Sequence, residues 1–362
     1  MQINAPIEKI SYQPLSAETL QSFDLATFNI NNAPTSCIVH LNNTTFAISR
    51  WVSPKRTRSY PYERVYNTLG ISKKITVIPV VKDEGQNGDR DYLQWDTISL
   101  MSLLDVFVIF AYYHKAEKVG TKIGKQQFDN NYIAAKITEI QQFHSSALHW
   151  NLAELAQIDD VLEKVKTNYA QIEAETGIKL HSFKGIDNLR NKIGKDVDKF
   201  KEFSREKSEK AQAREFVTIQ PKEVLSTATK AKLTISNYLG GQYHFTVDEV
   251  QVLEQVLYLI EAKHSKNTLL PSKSDIKDGL LKLMLYCNFA TVKIADKHYT
   301  CLPILKLTSL KLSGSINSTQ KSTEIDDFLQ KNSFSETQIS FVKNLFTEAA
   351  ANKFVVIIEH AK

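Results

Sequence analysis

Cysteine is scarce in this sequence. Its 362 residues include three cysteines, Cys37, Cys287 and Cys301, which lie far apart and form no Cys-x-x-Cys spacing. This arrangement gives neither a zinc-binding framework nor a credible set of disulfide pairs. Because disulfides persist in oxidising compartments, the composition favours a reducing one, and we expect a cytoplasmic protein.

Long apolar runs are lacking as well. The longest one, residues 98–113, contains Ser99, Ser102 and Asp105 and is shorter than the roughly 20 apolar residues of a transmembrane helix. The first residues show no basic-then-apolar signal pattern, so we expect neither export nor a membrane partner. The net charge of +5 is modest and does not by itself indicate nucleic acid.

Two β-rich runs, residues 243–253 and 256–263, flank Glu254-Gln255 and predict a hairpin. If those two residues form the turn, cross-strand partners have numbers that sum to 509, and Asp248 lies opposite Glu261. Side chains alternate along a strand, so Lys263 shares that face. The pattern therefore predicts two carboxylates and one ammonium group at the end of a hairpin.

These three side chains suit a metal-assisted attack on phosphorus. Asp248 and Glu261 can share Mg²⁺, a hard cation that prefers carboxylate oxygens and retains several waters. The metal lowers the pKa of a bound water, and Lys263 can orient that water or stabilise developing negative charge. Which acid binds the metal stays open, because Glu249 neighbours Asp248 and a bulge would exchange their faces.

A family resemblance rests on the same residues. Val247-Asp248, followed by Glu261-Ala262-Lys263, resembles the motif of PD-(D/E)XK nucleases, with valine in place of proline. The next segment, residues 270–286, has the sequence LPSKSDIKDGLLKLMLY, in which Pro271 precedes a predicted helix at 274–286. This segment is similar to the helix that follows the active site in type II restriction endonucleases. Glu261 is the only glutamate of this chain with a lysine two positions later.

The resemblance implies an enzyme: a Mg²⁺-dependent, sequence-specific endonuclease for double-stranded DNA. Asp248 and Glu261 would be its metal ligands, and Lys263 would complete the catalytic set. A palindromic target would favour a homodimer. We expect Glu261→Ala to remove cleavage and to leave the fold intact.

Three alternatives remain on the sequence alone. The same core could belong to a modification-dependent nuclease or to a repair nuclease. The hairpin could instead be an ordinary edge strand whose ion pair contributes under about 1 kcal/mol, within a non-catalytic DNA-binding protein.

Two segments are candidates for DNA contact. The first has Arg50, Lys55, Arg56 and Arg58 interleaved with aromatic residues. In the second, residues 184–232, 13 Lys and Arg outnumber 8 Asp and Glu, and Lys222, Lys230 and Lys232 lie at its end. Such side chains can hold phosphates, although a solvated helix face is the usual explanation of a mixed charge run.

Residues 82–91 form a polar loop that contains four acids. We interpret it as an acidic surface loop, because it lacks the spacing of a calcium-binding loop and has no Glu-x-Lys. A rival active site built from Glu63, Lys82 and these acids remains the alternative.

The order of elements predicts an α/β protein with a mixed sheet. We expect an N-terminal α/β part for DNA recognition (1–130), a helical and basic DNA-contacting middle (131–235) and a catalytic nuclease core flanked by helices (236–362). Residues 1–35 are weakly patterned and suggest a peripheral arm or short elements.

Overall fold

A computed structural model describes residues 1–50, 63–193, 198–202, 204–206, 209, 213, 229–295 and 297–361. The strands are β1 (Gln2–Ile7), β2 (Ser22–Asp24), β3 (Ser36–Leu41), β4 (Thr44–Arg50), β5 (Lys73–Pro79), β6 (Val81–Asp83), β7 (Arg90–Tyr92), β8 (Val106–Ala111), β9 (Tyr113–Val119), β10 (Lys122–Phe128), β11 (Thr229–Asn237), β12 (Gln242–Leu253), β13 (Val256–Ser265), β14 (Val292–Ile294), β15 (Lys297–Ser309), β16 (Ser315–Asn317) and β17 (Val355–His360).

Helices cover much of the remaining chain. They are α1 (Glu63–Tyr66), α2 (Trp95–Leu103), α3 (Asn130–Gln142), α4 (Ala147–Ala156), α5 (Ile158–Thr176), α6 (Lys184–Ile193), α7 (Lys273–Tyr286), α8 (Ser322–Lys331) and α9 (Glu336–Asn352). The expected α/β class with a mixed sheet is confirmed. Among the described residues, no helix is both long enough and apolar enough to cross a membrane.

The chain forms two compact units rather than the three parts expected. Thr19–Ala211 is the N-terminal unit; Met1–Glu18 and Gln212–Lys362 together are the C-terminal unit. Of the two alternatives for residues 1–35, the short elements are present as β1 and β2, whereas a peripheral arm is excluded for β1, which lies between β11 and β14 in the large sheet. Its residues alternate between buried and exposed, so one face of β1 belongs to the core.

The N-terminal unit contains a five-stranded sheet of order β2-β3-β4-β5-β8. Strands β4, β5 and β8 run parallel, and β3 pairs with β4 in an antiparallel hairpin whose turn contains Asn42 and Asn43. Helices α3, α4 and α5 pack on β8 and β9. The boundary expected at residue 130 therefore falls inside one unit.

The C-terminal unit contains an eight-stranded sheet of order β13-β12-β11-β1-β14-β15-β17-β16. β13 also pairs with β15 in parallel, so six of the strands form a closed circuit of pairs. Residues 229–235, which were expected to be helical, belong to β11 of this sheet. Helix α7 follows β13 in the chain and packs on β13 and β15.

The β12–β13 hairpin has the predicted register. Its ladder runs from Leu253↔Val256 to Glu249↔Ile260, so partner numbers sum to 509. Glu254 lies in the turn with a φ of 55°, in the left-handed region. Helix α7 begins after Ser272, whose side chain accepts from the Asp275 amide, in agreement with the helix predicted after Pro271.

Candidate active site

The candidate site lies where β12 and β13 separate. Their ladder ends at Glu249↔Ile260; beyond it β12 continues with β11, and β13 with β15. Asp248 is the first β12 residue past this end, and its Oδ2 accepts from the backbone amide of Ala262 at 2.9 Å. The Asp248 carboxylate thus accepts the hydrogen bond that a backbone carbonyl group of a paired strand would otherwise accept. This hydrogen bond holds Asp248 beside Glu261 and Lys263.

A β-bulge occurs at the same point. Between the pairs Thr229↔Val250 and Ala231↔Val247, β12 has one residue more than β11. Bulges bend a strand and redirect its side chains, and they are common beside active sites. The bulge includes Asp248 and Glu249. The sequence alone left open which of these two acids would bind the metal.

Glu249 is directed away from the candidate site. Its Oε2 lies 3.6 Å from Lys306 Nζ, and its Oε1 accepts from Gln251 at 2.6 Å. Lys306 pairs with Ala262, whose side chain points to the face opposite Glu261. The structure therefore brings Asp248, rather than Glu249, to Glu261.

Glu261 is enclosed between the sheet and helix α7. Its side chain is 1% exposed. Lys263 Nζ lies 2.9 Å from Oε1, and Lys282 Nζ of α7 lies 3.0 Å from the same oxygen. Lys282 also donates a hydrogen bond to Oε2 at 3.0 Å. Oε1 therefore lies between two ammonium groups, and the buried carboxylate is paired with both lysines.

Lys263 connects Glu261 to a third carboxylate. Its Nζ lies 3.2 Å from Oδ2 of Asp278, also on α7. The charges therefore alternate along the series Asp278, Lys263, Glu261 and Lys282, with Asp248 next to it. Sequence reasoning missed Asp278 and Lys282, although their i, i+4 spacing places them on one face of the predicted helix.

The charges of this cluster influence one another. Burial raises the pKa of Glu261, and the charge of Asp248 raises it further, against the opposing effects of Lys263 and Lys282. Burial alone would lower the pKa of Lys263, but the charges of Glu261 and Asp278 raise it above its ordinary value. A carboxylate whose ionisation is disfavoured by the charge of a neighbouring carboxylate is in an environment that favours a bound cation.

The residues fit a cation that keeps most of its water. Among the described parts of the chain, no group of three or more His, Cys, Asp or Glu is arranged to hold a metal. Mg²⁺ differs from zinc in needing only one or two carboxylates besides water and substrate oxygens. Asp248 and Glu261 together supply two carboxylates, which meets that smaller requirement in number.

Two of the predicted DNA-contacting residues have described side chains, and they lie in different units. Arg50, in the N-terminal unit, donates from Nη1 to the carbonyl oxygens of Ile30 and Asn31 at 2.9 and 3.3 Å. Lys232, in the C-terminal unit, lies in β11 opposite Thr246 of β12. The following lie outside the described residues or side chains: Lys55, Arg56, Arg58, Lys222 and Lys230.

The predicted acidic surface loop is a closed hairpin of β6 and β7. Asp83 is 1% exposed, with Arg90 Nε at 3.3 Å and His181 Nδ1 at 2.8 Å, so the surface prediction was wrong for this acid. Lys82 pairs with Glu84 at 3.0 Å. The rival site needs Glu63, whose side chain lies outside the described ones.

Gly279 allows α7 to approach the cluster closely. A Cβ at this position would lie 2.9 Å from Leu305 Cδ1, 3.3 Å from Lys263 Cε and 3.5 Å from Glu261 Cγ. The first two distances are shorter than ordinary van der Waals contacts. The glycine therefore determines how near Asp278 and Lys282 come to the strand.

Gly279→Ala is expected to lower the free energy of unfolding by about 1 kcal/mol. Alanine gains up to about 1 kcal/mol of helix propensity. Overpacking a buried contact costs about 1–3 kcal/mol, and the cost dominates because Leu305 is fully buried and cannot move freely. Urea denaturation measures the difference; a variant as stable as the wild type would show that α7 is less tightly packed here.

Comparison of the chain with protein families, with curated proteins and with solved structures finds no match.

Proposed function

We propose that the protein is a Mg²⁺-dependent endonuclease that hydrolyses phosphodiester bonds in double-stranded DNA. The observation that carries this proposal is the convergence of Asp248, Glu261 and Lys263 at the point where β12 and β13 separate. These are the residues that resemble the PD-(D/E)XK motif.

Asp248 and Glu261 are the proposed ligands of Mg²⁺. When bound, the ion lowers the pKa of a coordinated water and offsets negative charge on the phosphate. In the hydrolysis, the water oxygen forms a bond to phosphorus, the bond from phosphorus to the departing sugar oxygen breaks, and that oxygen takes up a proton. Lys263 contributes an ammonium group that orients the water or stabilises the charge growing on the phosphate.

The finer assignment is a type II restriction enzyme that acts as a homodimer in the cytoplasm. A two-fold symmetric target needs two active sites, since each site cuts one strand. We assign DNA contact to the segment that includes Arg50, Lys55, Arg56 and Arg58. The second contacting segment contains Lys222, Lys230 and Lys232. Basic side chains of this kind hold phosphates and set the position of a protein on the duplex.

A second candidate has its own supporting observation. Glu261 is 1% exposed and has two ammonium groups within 3.0 Å. A buried carboxylate neutralised in this way can be a purely structural ion-pair network. In that case the protein would be a non-catalytic DNA-binding protein, and the cluster would fix α7 on the sheet.

Incubation with plasmid DNA separates these functions. We expect cleavage with Mg²⁺ and none with EDTA, and a discrete band pattern if the enzyme is sequence-specific. A smear would indicate a nonspecific or repair nuclease, and cleavage restricted to methylated plasmid would indicate a modification-dependent one. Binding of DNA without any cleavage in Mg²⁺ or Mn²⁺ would favour the non-catalytic alternative.

A further inference from the structure

Strands β9 and β10 form a two-stranded antiparallel ribbon in the N-terminal unit. Among the described residues, neither strand pairs with any other strand. Along β9, Lys115, Glu117 and Val119 are exposed, whereas His114 and Ala116 between them are half-buried. Because side chains alternate along a strand, the three exposed residues lie on one face. The β9–β10 ribbon therefore presents an outer face to solvent.

A β-bulge adds a side chain of β10 to that outer face. The register changes by one residue between the partners of Glu117 and of Lys115, so β10 has an extra residue there. Gln127 is directly opposite Lys115 and is exposed, so the two share a face. Gln126 instead donates from Nε2 to the carbonyl oxygen of Asp83 at 2.6 Å. Of two adjacent glutamines, one is thus exposed and the other is bound to β6.

The β9–β10 ribbon is basic. Residues 113–128 contain four lysines and one glutamate. Among the described residues, neither Lys115 nor Lys118 has an acidic partner, whereas Lys125 Nζ lies 2.7 Å from Oε2 of Glu117. That ion pair is exposed, at 70% for the lysine and 54% for the glutamate, so it contributes little to the stability of the fold and the carboxylate stays accessible. The charge of the ribbon is therefore complementary to that of DNA phosphates.

The shape and the side chains of the ribbon fit the major groove of DNA. The groove is about 12 Å wide and admits a two-stranded ribbon. In that groove, lysine binds guanine, glutamine binds adenine, and glutamate accepts a hydrogen bond from the amino group of cytosine. Lys115, Gln127 and Glu117 supply one side chain of each kind on the outer face. Phosphate contact alone would require only the lysines.

We propose that the outer face of the β9–β10 ribbon lies in the major groove of double-stranded DNA and reads bases through Lys115, Glu117 and Gln127. This inference rests on the proposed function, because it takes DNA as the partner, but it does not depend on the metal site. It adds a base-reading surface to the two segments assigned to phosphate contact. Base contacts of this kind specify a sequence, whereas phosphate contacts fix the position of the protein.

The test selects preferred sequences from a pool of random double-stranded DNA. The full chain binds the pool in Ca²⁺, in place of Mg²⁺, and the bound fraction is sequenced. Gln127→Ala and Lys115→Ala are compared with the wild type. Gln126→Ala is the matched control, because Gln126 is the neighbouring glutamine that contacts β6. Affinities for the selected sequence and for its single-base-pair variants are then measured at one salt concentration, since DNA affinity depends on salt.

We expect the wild type to select a sequence motif. In Gln127→Ala, discrimination at one position of that motif should fall about 5–150-fold, the factor that corresponds to the loss of one good base contact. Lys115→Ala should lose discrimination at a different position. Both exposed substitutions should leave the other positions unchanged, and Gln126→Ala should select the wild-type motif.

The outcomes that contradict the inference differ from those that contradict the proposed function. An unchanged motif in both Gln127→Ala and Lys115→Ala would overturn the inference, and so would an equal loss of affinity for all sequences, which indicates contact with phosphates alone. A wild type that binds DNA but selects no motif would also overturn it, while cleavage of plasmid DNA would still support a nuclease. A wild type that binds no DNA would overturn the proposed function and this inference with it.

Discussion

Glu261→Gln is expected to lower the rate of Mg²⁺-dependent DNA cleavage by at least about 10³-fold. The metal contributes several kcal/mol of transition-state stabilisation, and about 1.4 kcal/mol corresponds to a factor of ten in rate. The neutral amide is a poor ligand for a hard cation, whereas the shape of the side chain and its contact with Lys282 are retained. Single-turnover cleavage is the measurement, with DNA affinity in Ca²⁺ as the check on binding.

Glutamine is the informative replacement because alanine would damage the fold. The expectation from sequence that Glu261→Ala leaves the protein intact is not supported by the surroundings of this residue. Alanine would leave the ammonium groups of Lys263 and Lys282 without their shared carboxylate in a buried site. Removing one partner of a buried ion pair costs about 3–5 kcal/mol, a large part of the stability of most domains.

Glu249→Gln is the matched control for this prediction. Glu249 is also a buried glutamate of the same hairpin with a lysine partner, but it lies on the opposite face of the sheet. Its replacement should change the cleavage rate by no more than a fewfold. If Glu249→Gln abolished cleavage and a folded Glu261→Gln protein cut normally, the two faces would have been assigned the wrong way round.

The local features of the site could be predicted from the sequence. Alternation of side chains and a two-residue turn sufficed for the register of the hairpin from Leu253↔Val256 to Glu249↔Ile260, but the ladder ends before the predicted pair of Asp248 and Glu261. The helix predicted at 274–286 after Pro271 is α7, which begins one residue earlier, at Lys273. Each of these depends on residues close together in the chain, where geometry limits the choices.

The features that the sequence did not predict depend on distant residues. β1 pairs with β11, more than 200 residues away, and Asp83 contacts His181 at a separation of 98 residues. Residues on α7 reach Glu261 only because a glycine lets the helix approach the sheet. Periodicity shows that such elements have an apolar face, but the element that covers it is decided by tertiary packing.

Lys263→Met is expected to slow cleavage about 10²–10³-fold at saturating Mg²⁺, by analogy with the loss of a transition-state hydrogen-bond donor. The ammonium group lies between Glu261 and Asp278, at 2.9 and 3.2 Å, so the surrounding charges fix its position. A preorganised cation stabilises charge that develops in the transition state more than charge already present in bound DNA. Affinity for target DNA in Ca²⁺ should therefore remain close to that of the wild type.

The pH dependence of the cleavage rate should also change in the Lys263→Met variant. Lys263 lowers the pKa of Glu261, against the effects of burial and of Asp248, which raise it. Without Lys263 the pKa of Glu261 rises further, and a protonated carboxyl group does not bind the metal. The cleavage rate should therefore reach its plateau at a higher pH than in the wild type.

Lys306→Met is the control for Lys263, because Lys306 lies on the neighbouring strand and contacts Glu249 and Glu359 on the opposite face. The Lys306→Met variant should cleave DNA at a rate within a fewfold of the wild-type rate and keep the same pH profile.

If Lys263 were only a member of a structural ion-pair network, Lys263→Met would lower the free energy of unfolding but leave the cleavage rate of the folded fraction unchanged. Single-turnover cleavage at saturating enzyme, together with urea denaturation of both variants, decides between the two roles. A folded Lys263→Met protein that cuts at nearly the wild-type rate would exclude a catalytic role for this lysine.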